Sequence, residues 1–399
     1  MQGVEKSDEE VGGVSSLTTA TQTKKKTDFE APCSERSPSS TDTAVSEESN
    51  RTKRCRIPSW VPTSMQKLVD AEKRLLKSVF TLIQGKFVPV RFGQGQVWTI
   101  VARPELQRDR SPLVLVHGFA GGVGIWAKAV DALAQDRCVI AFDLLGFGRS
   151  TRTRFSTDAT LAEMEWVQSI EDWRKAQNLD RMILLGHSLG GFLASSYALE
   201  YPERVRHLVL VDPWGFPVRP PPSEREITLP TWVRTVAGVM SFFNPLSSVR
   251  AAGPWGPSLV RRFRPDLGRR FGGGSGDEDA IYDYIYHCNA QKPSGEIAFK
   301  SLSIPFGWAK RPMVERLPLL EKEVPITFLY GSKSWIDSSP GYQMQLELRP
   351  DSYVDVQTVK GAGHHVYADQ PEEFARVVNE ICELVDEDRD QLKADFFLS

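Results

Sequence analysis

Four apolar residues, Met182, Ile183, Leu184 and Leu185, run straight into Gly186-His187-Ser188-Leu189-Gly190-Gly191, and helical periodicity resumes over 192–201. A buried strand, a sharp turn and a helix in direct succession leave few architectures open. The turn lifts the Ser188 hydroxyl clear of the sheet. It forces strained backbone angles, so small residues must flank the serine, and Gly186, Gly190 and Gly191 meet that demand. Ser188 is therefore the candidate nucleophile.

The rest of the chain repeats this alternation. Short apolar segments at 113–117, 137–142, 182–185, 207–211, 326–330 and 353–359 read as strands. Helical patterns occupy 161–175, 192–201 and 372–385. Buried strands alternating with helices predict a mostly parallel central sheet covered on both faces. Ahead of it, 63–80 suits one amphipathic helix, and 87–101 alternates around Gly93-Gln94-Gly95 as a β-hairpin. The long interval at 213–323, rich in proline and aromatics and without an evident strand pattern, reads as an inserted helical cap. The expected organisation is a disordered polar tail at 1–55, a first core part at 56–212, the cap at 213–323, a second core part at 324–388 and a C-terminal tail at 389–399.

Composition narrows the function classes. A hydrophobic fraction of 41% supports a sizeable core, and a net charge of −2 gives no global attraction to nucleic acid. The five cysteines are scattered, with no Cys-x-x-Cys pair, so neither a disulfide framework nor a zinc site is expected; nor is any cofactor. Reduced thiols suit a cytoplasmic setting. No apolar run approaches the roughly 18 residues of a membrane span, so any membrane association is expected to be peripheral. Two basic clusters punctuate the tail, Lys24, Lys25 and Lys26, then Arg51, Lys53, Arg54 and Arg56. A solvated tail is their simplest reading, contact with anionic lipid the alternative.

The partners of Ser188 follow from chain order. The strand at 113–116 leads into His117-Gly118-Phe119-Ala120-Gly121-Gly122, so the backbone N–H groups of Phe119 and Leu189 are the expected oxyanion donors. Gly361-Ala362-Gly363-His364-His365 follows the last strand; His364 is the candidate base and His365 the runner-up. The acid is expected in the loop after 326–330. Ser334 stands where a carboxylate is usual, which leaves Asp337 as first choice and Asp212 as the alternative. In the cap, Trp214, Phe216, Trp232, Phe242, Phe243 and Trp255 are candidates to line an acyl channel or to pack the cap itself. Arg261, Arg262, Arg264, Arg269 and Arg270 form a local basic run suited to a phosphate, a membrane surface or plain solvation.

These motifs together are those of the α/β-hydrolase fold. The stretches 117–126, 142–150 (FDLLGFGRS), 182–192, 211–217 (VDPWGFP), 252–256, 284–289 (YIYHCN), 307–312 and 364–371 (HHVYADQP) further resemble a narrow group within it. That group holds the (lyso)-N-acylphosphatidylethanolamine lipases and a paralogous branch of adipose-triglyceride-lipase coactivators at lipid droplets. The resemblance covers about residues 58–386. The coactivator branch carries Asn where this chain has Ser188, and Ser188, VDPWGFP and the His364-His365 pair resemble the lipase branch. The resemblance implies release of fatty acid from N-acylphosphatidylethanolamine, its lyso form or other lysophospholipids. The alternatives it implies are lysophosphatidate acyltransfer, and non-catalytic coactivation with a lipase or droplet coat protein as partner at a membrane or droplet surface. The group also carries His-x-x-x-x-Asp, here His364 to Asp369, a spacing linked to acyltransfer. With His364 already claimed by Ser188, Asp369 is expected to cap or orient the last helix ahead of Pro371. The group's Trp-rich N-terminal segment is reduced here to Trp60.

Ser188→Ala is expected to abolish covalent labelling by a fluorophosphonate probe, read as in-gel fluorescence; labelling that persists removes Ser188 as the nucleophile.

Overall fold

Along the central strands, successive side chains enter opposite cores, which is why these segments read as unbroken apolar runs. Val114, Val116, Leu184, Leu208 and Leu210 join one buried cluster, and Leu113, Leu115, Ile183, Leu185, Val209 and Val211 join the other. A period of two with both phases apolar is the signature of a sheet buried on both faces. The computed structural model describes residues 63–108, 110–221, 245–272, 277–304 and 307–398. The expected polar tail, its basic clusters, Trp60, Trp232, Phe242 and Phe243 lie outside these residues.

The strands are β1 (Ile83–Pro89), β2 (Gln96–Ala102), β3 (Leu113–Val116), β4 (Val139–Phe142), β5 (Met182–His187), β6 (Val205–Val211), β7 (Ile326–Gly331) and β8 (Val354–Val359). They form one sheet in the order β1-β2-β4-β3-β5-β6-β7-β8. β1 and β2 make the predicted hairpin, β2 runs antiparallel to β4, and every pairing from β4 to β8 is parallel. The carboxyl ends of β3, β5, β6, β7 and β8 thus open on one side, where an α/β sheet places its chemistry.

The first helix, α1 (Met65–Leu76), begins where the Ser64 side chain accepts the N–H of Lys67 at 3.2 Å. It is shorter than the predicted 63–80. The apolar phase continues to Phe80, but Asp131 captures the backbone N–H groups of Phe80 and Thr81, leaving Phe80 96% exposed. On the opposite face lie α2 (Ala159–Ala176) and α3 (Leu189–Glu200), anchored by Trp166 and Trp173.

Between β6 and β7 the described segments are mainly helical: α4 (Gly256–Phe263), α5 (Asp266–Gly272), α6 (Ala280–Asn289) and α7 (Gly295–Leu302). This interval also contains an antiparallel pair too short for periodicity to reveal, Ser303–Ile304 with Trp308–Ala309. α6 packs on α1, where Arg74 reaches Asp277 at 2.8 Å and Asp283 at 2.5 Å. The same helix ties the cap to the core, since Asn289 Nδ2 donates to Ala120 O at 2.8 Å and Gly124 N–H to Tyr284 Oη at 2.9 Å. The last helix, α8 (Pro371–Leu398), lies on the α1 face through Phe374, Val378 and Cys382.

Among the described residues, no helix is long and apolar enough to cross a membrane. Cys138, Cys288 and Cys382 are free and buried.

Leu184 is fully buried in the central strand. Leu184→Ala is expected to cost about 2–5 kcal/mol through lost contacts and a residual cavity, read as a lowered midpoint of urea unfolding.

Candidate active site

Ser188 sits between β5 and α3 with φ 54° and ψ −117°, a region that non-glycine residues occupy only when the surroundings impose it. Backbone bonds impose it here, among them a 3.2 Å bond from Phe192 N–H to Ser188 O. Ser188 N–H donates to Val211 O at 3.0 Å, and Ser188 O accepts from Gly191 at 3.0 Å and Trp214 at 3.1 Å. The elbow is therefore bound to the end of β6 as well as to its own helix.

The loop after β3 presses against this elbow. A Cβ on Gly118 would lie 2.8 Å from His187 Nδ1 and 3.0 Å from Ser188 Cβ. A Cβ on Gly190 would lie 2.3 Å from Val116 O. Only glycine at both positions allows the approach. His117 holds the loop from behind. Leu144 N–H donates to its Nε2 at 3.0 Å, so Nδ1 carries the proton and donates to Gly118 O at 2.7 Å. Complete burial pushes the His117 pKa down to about 4, so the ring stays neutral and serves the loop. Phe119 follows at the cavity wall, and Leu189 opens α3, its N–H in the helix's first turn.

His364 arrives on the loop after β8. Its Nδ1 lies 3.0 Å from Asp212 Oδ2. Asp212 follows the last residue of β6, has φ 44° and is fully buried. The same carboxylate accepts Gly331 N–H at 3.0 Å and the Ser334 hydroxyl. This corrects the expectation for the acid: Asp212, and not Asp337, meets His364. Asp337 is exposed and caps its own turn, accepting Ser339 N–H at 2.9 Å and Ser339 Oγ at 2.6 Å. The loop after β7 does reach the site, but it brings Ser334 as a donor. Ser334 was passed over because it is not a carboxylate; its place three residues beyond Gly331 was the signal.

Asp369 also lies elsewhere than expected. It neither bonds the His364 ring nor caps α8. Its Oδ2 accepts Gly363 N–H at 2.8 Å and its Oδ1 meets Arg270 Nε at 2.7 Å, joining the histidine loop to α5. The His364 ring packs 4.7 Å from His187 and 5.1 Å from Trp335, centroid to centroid. His187 Nε2 donates to His364 O at 2.8 Å, and burial holds the His187 pKa well below the usual histidine range.

Ser188, His364 and Phe119 share a cavity of about 430 Å³. Its walls are largely apolar: Trp214, Val260, Leu267, Phe271, Ile281, Ile285 and Phe299 all come from the interval between β6 and β7. Of the cap aromatics, Trp214 lines the cavity, Phe216 is core packing against Phe328, and Trp255 is exposed. A polar hollow of about 700 Å³ around Arg108, Arg181 and Arg206 lies at the amino ends of the strands, away from Ser188. A strained serine at a helix start and a histidine oriented by a buried carboxylate, in an apolar cavity, form an arrangement suited to acyl transfer through a covalent intermediate.

Comparison with known proteins bears on the family and the fold. Residues 111–371 match the family described as alpha/beta hydrolase fold. The (lyso)-N-acylphosphatidylethanolamine lipase of Homo sapiens is 54% identical over 324 residues, covering 81% of this chain and 94% of that protein. The 1-acylglycerol-3-phosphate O-acyltransferase ABHD5 of Homo sapiens is 49% identical over 325 residues, covering 81% of this chain and 92% of that protein. Among solved structures, naproxen esterase from Bacillus subtilis superposes with a TM-score of 0.55 at 17% identity, covering 79% of this chain and 97% of its own. Identity that low speaks for the fold alone.

Asp212→Asn is expected to lower kcat on a soluble p-nitrophenyl ester by roughly 10³–10⁴-fold, as loss of the orienting acid does in such triads. Asp337→Asn is expected to stay within about twofold of the parent, because the hydrogen bonds of Asp337 are confined to its own turn. Steady-state kinetics of the two variants decide between the carboxylates.

Proposed function

Because the chain belongs to the α/β-hydrolase family, and is an ester-type hydrolase within it, we propose that it releases fatty acid from glycerophospholipids through a Ser188–His364–Asp212 triad. N-acylphosphatidylethanolamine and its lyso form are the substrates that the 54% identity to the lipases favours. The observation that carries the mechanism is the 3.0 Å pairing of His364 Nδ1 with the buried Asp212, in the same cavity as the strained Ser188.

The steps follow from that arrangement. Asp212 holds the imidazole with its proton on Nδ1, leaving Nε2 to take the Ser188 proton. The Ser188 oxygen attacks the ester carbonyl, and the N–H groups of Phe119 and Leu189 stabilise the tetrahedral oxyanion. The C–O bond breaks, the imidazolium returns its proton to the departing lysolipid oxygen, and an acyl-serine remains. Water, deprotonated by His364, attacks the acyl-serine; fatty acid leaves and Ser188 regains its proton. The apolar walls suit an acyl chain, and the lipid is drawn from a membrane or droplet surface met peripherally.

Acyl transfer to lysophosphatidate is the competing chemistry, named for the ABHD5 relatives. The ties of Asp369 to Gly363 and Arg270, and of His364 to Asp212, support hydrolysis instead.

A panel of lipids with the purified chain, following free fatty acid and acylated product together, tests the reading. Fatty acid release from N-acyl and lyso phospholipids that vanishes in Ser188→Ala is the expected outcome. Acylated lysophosphatidate formed from acyl-CoA, without fatty acid release, would falsify it.

A further inference from the structure

We propose that Arg264 and His365 form a phosphate-reading subsite in the catalytic cavity, selecting acyl esters with a phosphate headgroup over neutral glycerides. The inference rests on the ester-hydrolase reading above and adds to it how the headgroup is recognised.

The charge in the cavity is one-sided. Among its described lining residues Arg264 is the only Arg or Lys, and no Asp or Glu is present. Beside largely apolar walls, a guanidinium at the solvated edge of the cavity favours an anion over a neutral group. Arg264 is also pre-set. Its Nε and Nη2 are clamped by Asp266 at 3.0 and 2.9 Å, and Asp266 is braced in turn by Arg270 at 3.2 Å. This fixes the plane of the fork and leaves the Nη1 edge without a hydrogen-bond partner among the described residues. The Arg264–Asp266 pair is partly solvated, so the carboxylate screens the cation without cancelling it.

His365 supplies the second donor. Its Nδ1 lies 2.8 Å from Tyr367 Oη. Burial raises the Tyr367 pKa, so the phenol stays protonated. Burial first, then His364 and the charges of Arg264 and Arg270, hold the His365 pKa well below the usual range. In the tautomer the proposal uses, the phenol donates to Nδ1 and the neutral ring carries its proton on Nε2, as a donor to an anion in the cavity. Arg264, His365 and Tyr367 line the same cavity, which puts the two donors within reach of one bound headgroup. A guanidinium edge beside a neutral N–H donor is anion-recognition chemistry suited to a phosphodiester or phosphomonoester. This also gives the second histidine of the His364-His365 pair a task distinct from that of the first.

The test compares two esters with the same acyl chain at the same glycerol position, lysophosphatidylethanolamine and monoacylglycerol, in mixed micelles of one neutral detergent. The readout is the ratio of their kcat/KM values, which an inactive protein fraction leaves unchanged because it lowers both rates alike. Arg264→Gln and His365→Phe are each expected to lower the phospho-to-neutral ratio roughly ten- to a hundredfold, the range of a charge-assisted hydrogen bond. His365→Gln, which keeps an N–H donor, is expected to retain most of the ratio. In parallel, sn-glycerol 3-phosphate should inhibit p-nitrophenyl butyrate hydrolysis competitively in the parent, and far less in Arg264→Gln. A parent with no phospholipid preference, variants that lose both activities equally, or an unchanged inhibition constant in Arg264→Gln would each overturn the subsite. Failure of the ester-hydrolase reading has a different signature: no Ser188-dependent acid release from either ester.

Discussion

The Asp212 carboxylate is the point on which three distant segments converge, and the rest of the site is arranged around satisfying it. A fully buried charge is costly unless it is hydrogen-bonded, and this one accepts from His364, Gly331 and Ser334. Those partners come from the last residue of β7 and from the loops after β7 and β8. Asp212 itself extends β6, whose last residue, Val211, accepts the N–H of Ser188. One buried acid therefore links the Ser188 elbow, His364 and the neighbouring strand ends. Its positive φ is the local strain that this position demands.

A second set of bonds makes the cap part of the site. Asn289 and Tyr284, both on α6, bond the backbone of Ala120 and Gly124 in the loop that carries Phe119. Asp143, in the FDLLGFGRS segment, accepts the N–H groups of Val123 at 2.6 Å and Arg149 at 2.7 Å. Arg152 donates across to Cys288 O at 3.0 Å. The FDLLGFGRS segment and α6 thus brace the loop that carries Phe119 against the cap. Arg270 and Asp369 do the same for the histidine loop.

Much of this was legible before any coordinates. The sheet strands were visible because burial on both faces leaves unbroken apolar runs, and the Ser188 elbow because its backbone tolerates only small neighbours. His364 was visible from its glycines and its place after the last strand. The carboxylate was not. The primary structure favours Asp337, which lies in the expected loop, over Asp212, and a loop position that holds a serine gives no reason to look for a donor to an acid more than a hundred residues earlier. The end of α1 was hidden too, because periodicity cannot see Asp131 drawing the chain away at Phe80.

The sequence by itself determined the strand–turn–helix around Ser188, the two-faced sheet and the order of nucleophile and base, since each is written in neighbouring residues and their periodicity. Only the tertiary structure decided which carboxylate meets His364, what Asp369 holds, and that Arg264 lines the cavity with no acidic residue among the described lining residues. Those outcomes depend on contacts between loops far apart in the chain, where local propensity is silent and the cost of burying an unpaired polar group selects the partner.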